Sequence, residues 1–466
     1  MMAPQLYEWH ASQLVERLLK MSELLEICEQ IVNKAADNEQ IEAVAIYSRE
    51  TEVRAYEGEV ESLTAAESQG VGIRVVKDGR QGFAHAGTFT LEDLIETLSE
   101  ARDNLEFATP DEFCEIAEPD GVEPVALNVY NDELAKVATE EKVSMALELE
   151  RCTREKDSRI IGVESADYSD SISESAVVTS TGIYASSKET GCSLTTYSLA
   201  EENGETQTGF GFSIGRRLED LDIERAAVDA VDRATRMLGA TKPPSGRFTV
   251  VLDPWVSAQF LGIVGGTLNA ESVQKGRSLF AGRQGEEVAN SSVSLIDDPT
   301  DPAAFTATST DGEGLATRRN VLIENGRLNQ FVHNSYTARK DGTSSTGSAI
   351  RGYSSTPGVG VQALAVIPGE LSPVDLIAQV SDGVLVQGVS GLHSGVNPVS
   401  GDFSTGAEGL RIRDGELAEP VREFTIASTI QKMLSGVSGI GNDLQWLPMR
   451  AAGVTLVIGE LTVSGA

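Results

Sequence analysis

The chain has 466 residues, more than one hydrophobic core usually fills, so two domains of roughly 200 residues each are expected. Lys and Arg number 37 against 71 Asp and Glu, a net charge of −34, which opposes the phosphate backbone that a nucleic-acid binder must neutralise and argues against DNA or RNA as a partner. A hydrophobic share of 40% beside 23% charged residues belongs to a folded globular protein and not to a disordered one.

The N-terminus, "MMAPQLYEWHASQLVERLLK", carries Glu8 and Glu16 where a signal peptide needs an apolar core. No apolar run reaches the roughly 18 residues of a membrane span, so no membrane partner is expected and the cytoplasm is the expected location. Residues 1–20 read as an N-terminal extension. "MSELLEICEQIV" then opens an amphipathic helix with Leu24, Leu25, Cys28 and Ile31 on one face. The stretch from Ile41 to Gly87 is strand-rich, with a tight hairpin turn at Asp78-Gly79, and predicts an antiparallel sheet.

A helix follows over "TLEDLIETLSEARDNLEFA", capped by Thr90, with Leu91, Leu94, Ile95, Leu98 and Leu105 as its expected stripe. Another begins at Thr139. Short strand runs are expected between Ile160 and Gly215, and "DIERAAVDAVDRATRMLG" packs small residues at helical spacing until Gly239 stops it. The Gly- and Pro-rich "GATKPPSGRF" marks the boundary between an N-terminal domain, 21–240, and a C-terminal β-rich domain, 247–466. In the latter, Asn325-Gly326 and Asp414-Gly415 predict hairpins, and "DPWVSAQFLGIVGGTL" and "TIASTIQKMLSGV" predict helices. The expected fold class is α+β: antiparallel sheet plus helices first, then a β-rich domain with a few helices.

Cys28, Cys114, Cys152 and Cys192 are scattered without a C-x-x-C pair and read as reduced, buried thiols. The histidines, His10, His85, His333 and His393, share no H-x-x-x-H or H-E-x-x-H spacing that would set two imidazoles on one helix face. His393 lies in "SGLHSGVNPVSGDFSTGAEG", where five glycines supply tight turns. Three roles are open to it: a structural loop residue, a substrate contact, or a general base acting on Ser394, Ser400 or Ser404 with Asp402. No G-x-S-x-G elbow supports the third. In "STDGEGLATRRN", Asp311 and Glu313 form a carboxylate pair expected to be solvated or salt-bridged on a turn. Arg339, Lys340 and Arg351 gather in a Ser- and Gly-rich segment that suits a peptide carboxylate or a plain surface loop.

The segments "GLHSGVNPVSGDFSTGAEGLRIRDGELAEPVREFTIAS", "STDGEGLATRRNVLIENGRLNQFVHNSYTARK" and "STGSAIRG" resemble the TldD/PmbA family, a resemblance running from about Ser22 to Gly465. In the TldD branch a helix early in the second domain carries an H-E-x-x-x-H zinc motif, with a cysteine ligand nearer the C-terminus. Here the equivalent helix reads "LGIVGG": Leu261 stands for the first histidine, Gly262 for the glutamate and Gly266 for the second histidine, and no cysteine follows Cys192. The chain therefore resembles the PmbA branch, also called TldE. The resemblance implies a non-catalytic subunit with no metal of its own, paired with a TldD-type subunit that holds the zinc and degrades or processes unfolded peptides. It also implies a peptide cleft to which His393, Ser394, Asn397, Ser400, Asp402 and Arg351 are the candidate contacts. The alternative is a stand-alone homodimeric peptide-binding or chaperone-like module.

Overall fold

The computed structural model describes residues 21–466; the expected extension, residues 1–20, lies outside the described residues. Two six-stranded sheets organise a mixed α+β fold. The first is wholly antiparallel, in the order β3-β2-β1-β4-β5-β6, with β1 (Gln40–Tyr56), β2 (Glu59–Lys77), β3 (Arg80–Ala86), β4 (Ile160–Thr179), β5 (Tyr184–Glu202) and β6 (Glu205–Gly215). The expected short runs between 160 and 215 are in fact long strands, β4 and β5 having 20 and 19 residues. Alternating serines on one face of β4 lower its hydropathy without interrupting it.

Strand alternation decides where the helices go. Ile41, Ala43, Ala45 and Tyr47 of β1 form a buried cluster with Leu24, Cys28 and Ile31 of helix Met21–Val32 and with Leu94 and Leu98 of helix Leu91–Asp103. Val53 and Ala55, on the same face, pack with Ala146 and Leu149 of helix Thr139–Glu155. Thr90 does cap its helix, accepting from Asp93 N at 3.3 Å. The stripe is narrower than expected: Leu91 and Ile95 are exposed, and the buried face is Leu94, Thr97, Leu98 and Ala101. Of the cysteines, all free, Cys28 and Cys192 are buried and Cys114 and Cys152 half-buried.

The second sheet runs β16-β15-β14-β7-β18-β17, where β7 is Gly246–Leu252, β14 Asp382–Ser390, β15 Asp402–Arg413, β16 Glu416–Thr429, β17 Val437–Ile440 and β18 Leu456–Ser464. Pairing of Thr425–Ala427 with Thr462–Ser464 joins β16 to β18, so five strands close into a ring with β17 outside it. The helix Pro254–Thr267 is fixed by Asp253, whose carboxylate caps it at Val256 N (2.8 Å), and it buries Val256, Phe260, Leu261 and Val264 in the largest core. The helix expected over "TIASTIQKMLSGV" starts only at Ile430; the β-branched residues before it continue β16. No helix among the described residues is long and apolar enough to cross a membrane.

The helix-free face of the first sheet turns toward the C-terminal part of the chain. Gly70 and Gly72 of β2 form a shelf for Tyr353: a Cβ at Gly72 would lie 2.2 Å from the Tyr353 carbonyl oxygen, and one at Gly70 2.3 Å from its ring. Between these surfaces lie the features described next.

Candidate functional site

At the domain junction Glu42 of β1 is fully buried and receives Arg74 through two hydrogen bonds, Nε to Oε1 at 3.1 Å and Nη2 to Oε2 at 3.0 Å. Arg351, from the other side of the junction, donates to Glu42 Oε1 through Nη1. Its side chain is 1% exposed. It is thus held inside the junction, where it also lines the cavity described below. Burial works to raise the Glu42 carboxyl, and the two guanidinium groups outweigh it, so its pKa is lowered.

Asp311 and Glu313 belong to the same network. Of the two expectations, solvated or salt-bridged, the first is corrected and the second holds for Glu313: both residues are buried, Glu313 completely, and Glu313 pairs with Arg74. Glu313 accepts from Ser335 N and Oγ and lies 4.0 Å from Arg74 Nη2. Asp311 accepts from Glu313 N (2.9 Å), Leu315 N (3.1 Å) and Ala349 N (3.0 Å). Burial and the neighbouring Glu313 charge nevertheless push Asp311 up to about 8. With a proton on Asp311, two carboxylates face two guanidiniums.

Beside this network an interdomain cavity of about 490 Å³ opens between the serine-bearing faces of β4 and β5 and the loops around Phe305, Gly312 and Gln362. Ser171, Ser173 and Ser175 line it from β4, and Ser187 and Glu189 from β5. Phe305 closes over Gly191, where a Cβ would sit 3.3 Å from its ring. Arg216 is pinned by the carbonyls of Val129 (3.2 Å), Thr190 (3.3 Å) and Phe305 (2.7 Å). It also borders a second cavity of about 620 Å³ with Tyr130, Asp220 and Trp446. Glu189 is accessible but recessed; burial raises its pKa, and Arg216 opposes that without touching it.

The equivalent zinc-motif helix offers nothing to a metal. Leu261 is 2% exposed and turned into the core. Gly262 and Gly266, four residues apart, share the open side of the helix, where a Cβ at either would meet nothing within 4 Å. Apolar and absent side chains are not zinc ligands, so these residues do not fit the ion. Among the described residues no group of three or more His, Cys, Asp or Glu could hold a metal. His333 is buried, and burial lowers its pKa.

The His393 segment is exposed. Residues Leu392–Gly395 make one helical turn, Ser394 Oγ donates back to Gly391 O at 3.3 Å, and Asn397 Oδ1 accepts from Val399 N (2.9 Å) and Ser400 N (3.2 Å). Ser400 Oγ donates to Asp402 Oδ2 at 2.6 Å, and no described residue hydrogen-bonds the His393 side chain. Asp402 thus serves Ser400, and His393 is not assembled into a triad with them.

Glu42, Arg74, Glu189 and Arg450 escaped the sequence reading. The available signal was the period-two run Ser169, Ser171, Ser173, Ser175, which marks a strand face that is polar yet covered.

A mixed α+β chain built on two six-stranded sheets defines a class, and comparison with known proteins identifies it. The chain matches the family models "PmbA/TldA metallopeptidase domain 1" at residues 41–105, "PmbA/TldA metallopeptidase central domain" at 132–238 and "PmbA/TldA metallopeptidase C-terminal domain" at 245–465. It is 34% identical over 287 residues to a metalloprotease of Methanothermobacter thermautotrophicus, covering 60% of this chain and 62% of that one. It is 25% identical over 411 residues to metalloprotease PmbA of Escherichia coli O157:H7, covering 88% of each. The crystal structure of TldE from Thermococcus kodakarensis superposes with a TM-score of 0.86 at 25% identity, over 96% of this chain and 100% of that one. The chain belongs to the PmbA/TldD family of metallopeptidases.

Proposed function

We propose that this chain is the non-catalytic, TldE/PmbA-type subunit of a two-subunit zinc metallopeptidase. It would form part of the wall of a chamber in which a TldD-type partner, carrying the zinc, degrades or processes unfolded peptides. One observation carries the reading: at the three positions of the zinc motif stand a leucine buried in the core and two glycines on an open helix face. Such a helix can neither ligate zinc nor move a proton to or from a zinc-bound water. The polar interdomain cavity supports a remaining role in holding peptide, since hydroxyl-lined strand faces meet main-chain groups with little demand on sequence.

The test is zinc analysis and peptidase assay on the purified chain alone and on the chain co-expressed with a TldD-type subunit. Zinc and chelator-sensitive cleavage are expected only in the pair, with the metal on the partner. Stoichiometric zinc together with chelator-sensitive cleavage in the chain alone would overturn the reading.

A further inference from the structure

We propose that the interdomain cavity is a binding site for short zwitterionic peptides, the Glu189 carboxylate receiving the α-ammonium end and the Arg450 guanidinium the α-carboxylate end. This rests on the reading of the chain as a peptide-handling subunit, and it adds a ligand class and two recognition residues.

The argument is one of elimination among the charges that line the cavity. Arg351 donates to Glu42 through Nη1 and its Nε and Nη2 are buried, away from the open cavity, and Arg216 is held by three main-chain carbonyls. Asp311 is enclosed by three backbone N–H groups. Glu189 and Arg450 remain. Both are accessible, both line the cavity, and neither side chain makes a hydrogen bond or an ion pair with any described residue. Two opposite charges in one cavity would ordinarily pair. Each instead feels a more distant opposite charge, Glu189 that of Arg216 and Arg450 that of buried Asp297, and neither is closed off by a direct contact, as the two ends of a bound dipolar molecule require.

The surface between them suits a peptide main chain. Ser171 on β4 lines the cavity and its hydroxyl has no hydrogen-bond partner among the described residues. A hydroxyl donates and accepts, so it can meet either an amide N–H or a carbonyl without selecting a side chain. The volume, about 490 Å³, lies within the range of about 300–1,000 Å³ typical of small-ligand sites, which admits a fragment of a few residues and excludes a folded protein. The charge is also local in character: in a chain with net charge −34, an unpaired arginine inside a cavity is the group that would attract a carboxylate.

The experiment is calorimetric titration of the isolated full-length chain with trialanine in four forms: free at both ends, N-acetylated, C-amidated, and blocked at both ends. Mass spectrometry of the recovered peptide keeps binding separate from any cleavage. Trialanine is expected to bind, and blocking either end should weaken binding by about tenfold or more, as loss of a charge-assisted hydrogen bond does. Glu189→Gln should abolish the penalty for acetylation and leave that for amidation; Arg450→Gln should do the reverse. Both positions are accessible, so neither variant threatens the fold. Equal binding of free and doubly blocked peptide, no binding of trialanine at millimolar concentration, or wild-type end preference in both variants would each overturn the proposal. Intact peptide bound by a chain that contains zinc would instead count against the non-catalytic reading and leave this site standing.

Discussion

Two glycine-rich segments, 309–315 and 390–402, look alike on paper: each sets aspartate and serine among glycines in the C-terminal half of the chain. Folded, they are opposites. The first is buried at the domain junction, its carboxylates tied to main-chain amides and, through Glu313, to Arg74. The second is exposed and closes on itself through Asn397, Ser400 and Asp402. The difference lies in partners distant in sequence. Ala349 N meets Asp311 across 38 residues and Arg74 comes from β2 to Glu313, whereas the side chains of Ser394, Asn397 and Ser400 bond only within two or three residues. Residue type proposes a site, and long-range partners decide whether the charges there are structural or free.

Breaking the buried side of this comparison should have the largest effect. Glu42→Ala leaves Arg74 and Arg351 facing each other without their shared carboxylate, and the expected loss is about 3–5 kcal/mol in urea denaturation. An unchanged midpoint would mean that water replaces the carboxylate and that the junction is not dry. Gly72→Ala comes next. Its Cβ would press on the Tyr353 carbonyl at 2.2 Å, a backbone atom that cannot swing aside, and the cost should be about 1–3 kcal/mol.

The pH dependence sharpens the same contrast. Asp311 is raised in the folded state, so the folded chain keeps a proton that the unfolded chain releases near pH 4. The stabilisation is therefore full below about pH 4 and declines as pH rises toward about 8. In Asp311→Asn this decline should be shallower by at most about 1.4 kcal/mol per pH unit, read from denaturation midpoints at pH 5 and pH 8. An unchanged decline in the variant would assign the proton elsewhere in the cluster.

Local chemistry was legible in the sequence. Asp78-Gly79, Asn325-Gly326 and Asp414-Gly415 all turn hairpins with both residues at positive φ, because Gly and a preceding Asp or Asn accept that backbone. Glu57-Gly58 turns the same way and gives weaker notice, since glutamate is seldom placed there. The capping of a helix by Thr90 was equally local. The candidate site was not legible to the same degree. Leu261, Gly262 and Gly266 are adjacent in a motif, yet a helix turns about 100° per residue, which sends the leucine into the core and the glycines outward. Arg351 read as a surface contact because its neighbours are serine and glycine, and only the fold brings Glu42 to it.

The smallest effect is expected on the exposed side, and it bears on His393 directly. His393→Ala removes a side chain that no described residue hydrogen-bonds, and Asp402→Ala removes only the acceptor of the Ser400 hydroxyl. Each should change stability by no more than about 0.5 kcal/mol. If the loop contacts peptide in the assembled protease, His393→Ala should raise KM in the reconstituted pair and leave kcat unchanged, because a contact made equally in ground and transition states moves only KM. A fall in kcat of about 10²-fold or more would be the signature of proton transfer. That result would assign His393 a part in the chemistry and not in peptide binding alone.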